Sequence, residues 1–120
     1  MIKNIPFTYQ KHFIQRLGIL LSTNIPLAYA IDVLLNMEKN KVIKNKLHII
    51  KENIQKGVSL GNSLQLKEIN FNKEIINIIK NGESSGTLSI SLKKAYQDIE
   101  RRDEIKKKII GVLIYPIFIL

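Results

Sequence analysis

Gly82-Glu83-Ser84-Ser85-Gly86-Thr87-Leu88 is the stretch on which the fold turns, because it contains G-x-S-x-G and so supports two incompatible structures. As a nucleophile elbow it would hold Ser84 on a strained strand-to-helix turn, with backbone N–H groups around a developing oxyanion. An elbow needs a strand before it, a parallel sheet beneath it, and an acid and then a histidine after it. The residues before it carry Ile75, Ile78 and Ile79 at helical spacing, with Lys73, Glu74, Asn77 and Lys80 on the remaining face. His12 and His48, the only histidines, both precede Ser84. The stretch is therefore read as a joint between two helices: Gly82 ends the first, and Ser85 or Thr87 caps the second. No catalytic residue is assigned, and the chain is not read as an enzyme.

Outward from the joint, helical periodicity accounts for the whole chain. A first helix opens near Thr8 as cap and places Phe13, Leu17, Leu20 and Leu21 on one face, stopping around Thr23. Asn24 tolerates left-handed backbone, and Pro26 fits the first turn of the second helix, whose stripe is Leu27, Ala30, Ile31, Leu34 and Leu35. A third runs from about Lys41 to Lys56, with Ile43, Leu47, Ile50 and Ile54 inward and Gly57 as its stop. Ser59 caps a short fourth helix bearing Leu60 and Leu64, and the polar segment Lys67 to Asn70 leads to the fifth. The sixth follows Gly86 with Leu88, Leu92, Ala95, Tyr96 and Ile99 on one side. No strand pattern competes. The expected fold is all-α, a compact antiparallel bundle of six helices over residues 1–108, with the last helix leading into a transmembrane segment.

Composition narrows the functional classes. A chain of 120 residues with 45% hydrophobic residues, no Cys and no Trp must be held by apolar burial, without disulfides or thiolate-bound metal. Two isolated histidines support no metal site, and no cofactor is implied. A net charge of +9 calls for an acidic partner, which fits nucleic acid, an anionic membrane surface or an acidic protein face. Nucleic acid is the weaker choice: no helix start carries base-reading side chains, and the basic residues spread over several faces. A soluble basic helical adaptor or nucleic-acid-binding domain is the alternative reading. Gln10, Lys11, His12, Gln15 and Arg16 interrupt any apolar run near the start, so no signal peptide is read there. Residues 109–120 carry no charge and follow Lys106, Lys107 and Lys108, which points to the start of a truncated transmembrane helix with a cytoplasmic basic flank, in preference to a buried terminal helix.

Four signals in order resemble the cytoplasmic domain of the type II secretion system F family, the inner-membrane platform proteins of secretion systems and type IV pili. They are Leu20, Leu21, Asn24, Ile25, Pro26, Leu27 and Ala30, similar to the family's opening hairpin; Gly57, Ser59, Leu60 and Leu64, similar to its G-x-S-L stretch; Gly82, Glu83, Ser85, Gly86 and Leu88, which match G-E-x-S-G-x-L at every fixed position; and Tyr115 with Pro116 at the start of a membrane segment. Asn24 stands where glycine is more usual, and the sequence stops short of the family's further spans and second homologous domain. The resemblance implies a non-enzymatic scaffold in the bacterial inner membrane, this domain facing the cytoplasm. There it would couple a hexameric assembly ATPase to extraction of pilins or pseudopilins. The partners implied are that ATPase, other inner-membrane assembly subunits and pilins, the membrane, and further copies of the chain as a homo-oligomer, without nucleic acid.

Pro26, Gly57, Gly82, Glu83, Ser85, Gly86 and Leu88 are accordingly expected to shape the fold. Glu83 is expected to accept from the free N–H groups opening the sixth helix, with contact to a partner or cation as the alternative. Lys44 and Lys51 on the third helix are candidate ATPase contacts or simply solvated. Arg101, Arg102, Lys106, Lys107 and Lys108 are candidate partner or lipid contacts, or a solvated face with i to i+4 pairs. Tyr9, Tyr29 and Tyr96 are read as core or rim aromatics.

Overall fold

Helices form wherever apolar residues recur at three- and four-residue spacing. The computed structural model of the chain, which describes residues 5–119 and the side chains of residues 5–111, contains α1 (Phe7–Ser22), α2 (Leu27–Met37), α3 (Lys41–Gln55), α4 (Leu60–Gln65), α5 (Lys73–Ser85) and α6 (Leu88–Ile119). No strand occurs among the described residues. Each helix packs on the next in the chain, and α6 returns to α1, so the six close a ring around one core. Phe13, Ile14 and Leu17 of α1 meet Ile31 of α2, Leu47 and Ile50 of α3, Leu60 and Leu64 of α4, Ile75 and Ile79 of α5 and Leu92 of α6, all essentially without solvent exposure. The Phe71 ring, just before α5, stands edge-on to Phe13 with centroids 5.3 Å apart. The all-α six-helix bundle expected from periodicity is the observed fold.

Local chemistry sets the helix ends. Asn40 Oδ1 accepts from the N–H groups of Val42 and Ile43, and Asn72 Oδ1 from Glu74, so α3 and α5 both open on an asparagine cap. Asn24 has φ 63°, as its residue type suggests, and α2 begins directly after Pro26. Three expectations need correction. The first helix starts at Phe7 behind Pro6 with no side-chain cap, so Thr8 lies inside it. Gly82 does not end α5 but lies within it, and the helix continues to Ser85. The segment Lys67 to Asn70 hides Ile69, fully buried in the core, and turns at Asn70 with φ 53°.

Helices α3 and α5 stop by the same device. Gly57 (φ 92°) and Gly86 (φ 70°) take left-handed backbone. At the second, Thr87 N–H donates to Gly82 O at 2.9 Å and Gly86 N–H to Glu83 O at 3.4 Å, the pair of bonds that satisfies the last carbonyls of a helix in a Schellman motif. A β-branched side chain strains that backbone even though the space beside Gly86 is empty. Gly86→Val is therefore expected to cost about 2 kcal/mol of stability, read as a fall in the urea midpoint with an unchanged slope.

Helix α6 outruns the bundle. Ile99 is its last buried apolar residue among the described side chains, and every residue from Glu104 to Gly111 is exposed, with Ile105 and Ile109 about half so. Its 32 residues span about 48 Å at 1.5 Å per residue, which accounts for the 60 Å long axis of the molecule. The expected start of a transmembrane helix at residues 109–120 falls on the end of α6, where the backbone is described to Ile119 but the side chains only to Gly111. Among those described, no helix is long and apolar enough to cross a membrane.

Candidate functional site

The two glycine-containing motifs, separated by more than 20 positions in sequence, meet in space through one carboxylate. Leu60 N–H donates to Glu83 Oε2 and Gly61 N–H to Glu83 Oε1, both at 2.8 Å. These are amides at the start of α4 that have no partner within their own helix, and a negative charge there is also favoured by the helix dipole. Ser59 covers a further one, its Oγ accepting from Asn62 N–H at 3.2 Å. Glu83 therefore does cap a helix, but the helix is α4 rather than the expected α6.

The bidentate contact requires α4 and α5 to approach closely, and Gly61 permits it. A Cβ at Gly61 would stand 2.4 Å from Lys80 Cγ and 3.2 Å from Glu83 Oε1. Gly82 plays the matching part on the opposite side of α5, where a Cβ would lie 3.0 Å from the Leu88 Cα and 2.9 Å from Ser91 Oγ of α6. Adjacent residues of α5 thus secure α4 on one side and α6 on the other. Ser85 reaches back, its Oγ donating to Asn81 O at 2.8 Å, so its hydroxyl serves the end of α5 rather than the start of α6. Thr87 supplies the carbonyl that takes the Ser91 N–H at 2.9 Å, and Leu88 is half-buried against the core. Sequence reasoning passed over Gly61; its signal was a glycine inside the first turn of a helix, where it lowers helix propensity and must be repaid by packing.

The G-x-S-x-G stretch is not arranged as a nucleophile elbow. Ser84 is an exposed helical residue whose Oγ donates to the Asn81 carbonyl at 3.1 Å. His48 pairs with Glu52 on the surface of α3. Among the described residues no group of three or more His, Cys, Asp or Glu is placed to hold a metal, and no buried side-chain polar atom lacks a hydrogen bond. A nucleophile elbow is absent because Ser84 follows a helix.

The candidate contact lysines and arginines fall into two groups. Lys44 of α3 is exposed, as are Arg101, Lys106, Lys107 and Lys108 of α6. Lys51 is instead half-buried and holds α3 to α2 through Asp32 Oδ1 at 2.6 Å, and Arg102 pairs with Glu74 of α5 at 2.8 Å. A further ionic cluster, unforeseen from sequence, fastens α6 to α1: Lys11 Nζ meets Glu100 at 2.7 Å and Asp103 at 3.2 Å, and Tyr96 donates to Glu100 at 2.9 Å.

The Lys11 hydrogen bond, followed by that from Tyr96, holds the Glu100 carboxyl below its ordinary value, and the bond to Glu100 raises the Lys11 ammonium above its own. The depressed Glu100 contributes stability above the unfolded glutamate value of about 4.3, lost as pH falls through the lower folded value. The raised Lys11 contributes below its unfolded value of about 10.4, lost only as pH rises beyond it. The α1–α6 fastening is thus expected to be complete near neutrality and to weaken below pH 4 or so. Thermal melts across pH 3–7 check this, and Lys11→Met should flatten the acid limb if the cluster governs it.

The sequence model of the family described as type II secretion system (T2SS), protein F matches residues 13–120. Type II secretion system protein F of Xanthomonas campestris is 28% identical over 108 residues, covering 90% of this chain and 27% of that protein. Type IV pilus assembly protein PilC of Pseudomonas aeruginosa is 27% identical over 108 residues, covering 90% of this chain and 29% of its own length. The protein of the same name from Thermus thermophilus is 23% identical over 107 residues, 89% of this chain and 26% of that relative. The chain spans less than a third of the length of each.

Proposed function

This chain belongs to the type II secretion system protein F family, and on that premise we propose that it is a non-enzymatic platform protein of a type IV pilus or type II secretion apparatus in the bacterial inner membrane. Its helical domain, residues 1–108, faces the cytoplasm, docks the hexameric assembly ATPase and transmits the motor's work to pilin or pseudopilin assembly. It acts together with other inner-membrane subunits and further copies of itself. Residues 109–120 begin the membrane segment.

The single observation that carries the reading is the family match over residues 13–120. The geometry is consistent with transmission: a bundle whose last helix leaves the core after Asp103, every residue from Glu104 to Gly111 exposed, can pass a displacement of the bundle along one rigid rod. Lys106, Lys107 and Lys108 on that rod stand where anionic headgroups flank a span, each basic residue contributing about 1 kcal/mol near such a surface. Lys44, exposed beside Lys41 on α3, offers a basic face to an acidic motor surface, whereas Lys51 and Arg102 serve the bundle first through Asp32 and Glu74.

Calorimetry and light scattering between the 120-residue chain and its own system's ATPase, at low salt with nucleotide present, test the docking role. Binding is expected, weakening as salt rises, and the double variant Lys41→Glu/Lys44→Glu is expected to weaken it about tenfold with little change in melting temperature. No interaction by either method removes ATPase docking from this domain.

A further inference from the structure

Along the outside of the α1–α6 seam runs a solvent-open trough of about 600 Å³ that none of the roles above uses. The α1 wall is built by Gln15, Gly18, Ile19 and Ser22, spaced i, i+3, i+4, i+7, and the α6 wall by Ile90, Lys93 and Gln97, spaced i, i+3, i+7. Both walls are therefore single helical stripes about two turns, or roughly 10 Å, long. Gly18 forms the floor: a Cβ there would stand 3.2 Å from Leu92 Cβ, so its absence lets the two helices close together beneath the trough. Ile19 and Ile90, on opposite walls, are 59% and 70% exposed, the latter the most exposed large apolar side chain described.

From this the geometry points to a docking groove for an amphipathic helix of a partner protein, with two turns of apolar anchors seated between Ile19 and Ile90 and an acidic residue meeting Lys93. The shape argues for a helix: two parallel stripes at helical spacing offer ridges and a groove to a third stripe of the same period. A small molecule is a poor fit, because the trough is open to solvent and Ile19, Ser22, Ile90, Lys93 and Gln97 along it are exposed, so it would enclose little of a small ligand's surface. The charge argues for the acid. Among the described residues Lys93 is the only charged one lining the trough and no carboxylate lines it, and the chain as a whole carries +9. Glu100, one helical turn beyond the lining residue Tyr96, is already held by Lys11 and Tyr96. The inference does not depend on ATPase docking through α3, and its test uses no ATPase.

The probe is a pair of display libraries of about 14-residue peptides, long enough for the two turns plus flanks. Both have leucine, isoleucine or phenylalanine at i, i+3, i+4 and i+7; one carries glutamate and the other lysine at the flanking positions. They are panned on the full 120-residue chain in mild detergent. Glutamate-flanked helices are expected to be enriched, and the best of them, as a synthetic peptide, to bind at least about tenfold more tightly than its lysine counterpart at low salt. Ile90→Asp should abolish that binding without moving the melting temperature, since the side chain is exposed, and Lys93→Glu should reverse the preference between the two flanks. Enrichment that ignores both substitutions, or no enriched helix, overturns the proposal. So does sedimentation showing that the chain self-associates through this face and that Ile90→Asp releases the monomer, because the occupant would then be a second copy.

Discussion

Glu83→Ala is expected to lower the stability of the domain by about 3 kcal/mol, the loss of two charge-assisted hydrogen bonds to amides that have no other partner. Leu60 and Gly61, whose N–H groups donate to it, are both buried residues, so water replaces the lost acceptor poorly. In a domain of this size the change should appear as a fall of roughly 10 °C in melting temperature, or a lower urea midpoint at constant slope. Amide exchange localises the effect: the Leu60 and Gly61 protons should exchange faster in the variant, while those in the middle of α3 change only through the global loss. Glu83→Gln retains one acceptor but turns an NH2 group toward the second amide, and should fall between wild type and Ala. An unchanged midpoint in Glu83→Ala would mean that α4 does not depend on this carboxylate. The same substitution separates the fold role from the alternative of a partner or cation contact, which would alter binding while leaving the midpoint where it was.

Gly82→Val is expected to be comparably damaging, about 3 kcal/mol, for an unrelated reason. In an exposed stretch of helix, replacing glycine by alanine stabilises by up to about 1 kcal/mol, so the sign of the change is diagnostic. Here a Cβ meets the Leu88 Cα at 3.0 Å, and backbone cannot rotate away as a side chain can. Even Gly82→Ala should therefore destabilise, and valine's second branch should force α5 and α6 apart at the joint. The joint's two glycines are thus constrained differently, Gly82 by the neighbouring helix and Gly86 by its own backbone. A second substitution keeps the test sharp: Ser91→Gly removes the Oγ and Cβ that stand 2.9 and 3.0 Å from the missing methyl, and should partly rescue Gly82→Ala. A stabilised Gly82→Ala would mean that the helices are not in contact there.

The fates of particular residues show what kind of information a sequence holds. Periodicity found the buried stripes Phe13 and Leu17, Ile31 and Leu34, Leu47 and Ile50, Ile75 and Ile79, because burial on one side of a helix imposes its period directly on the residues. It does not find Gln10 and Lys46, both almost wholly buried, because a stripe of apolar residues carries no mark for a polar one. Gln10 in fact lies on the Phe13 and Leu17 face. Its amide is satisfied at both ends, Nε2 donating to Ile5 O at 2.9 Å and Oε1 accepting from Asn72 N–H at 2.8 Å. Lys46 extends its stem along the core and delivers its ammonium to the Glu68 carbonyl at 2.6 Å. Tyr29, read as core or rim, is 60% exposed and belongs at most to the rim.

The sequence by itself determined that this protein is all helical, where most of its helices begin and end, and which family it belongs to. Each of those depends on residues close together in the chain: a 3.6-residue period, an asparagine cap, a glycine at positive φ, a short ordered motif. Only the tertiary structure decided what Glu83 holds, why Gly61 and Gly82 must lack a side chain, which lysines are already committed to Asp32, Glu100 and Asp103, and that an apolar trough opens between α1 and α6. Those are relations between helices distant in sequence, set by how closely the packed core lets their backbones approach, and no local pattern encodes that distance.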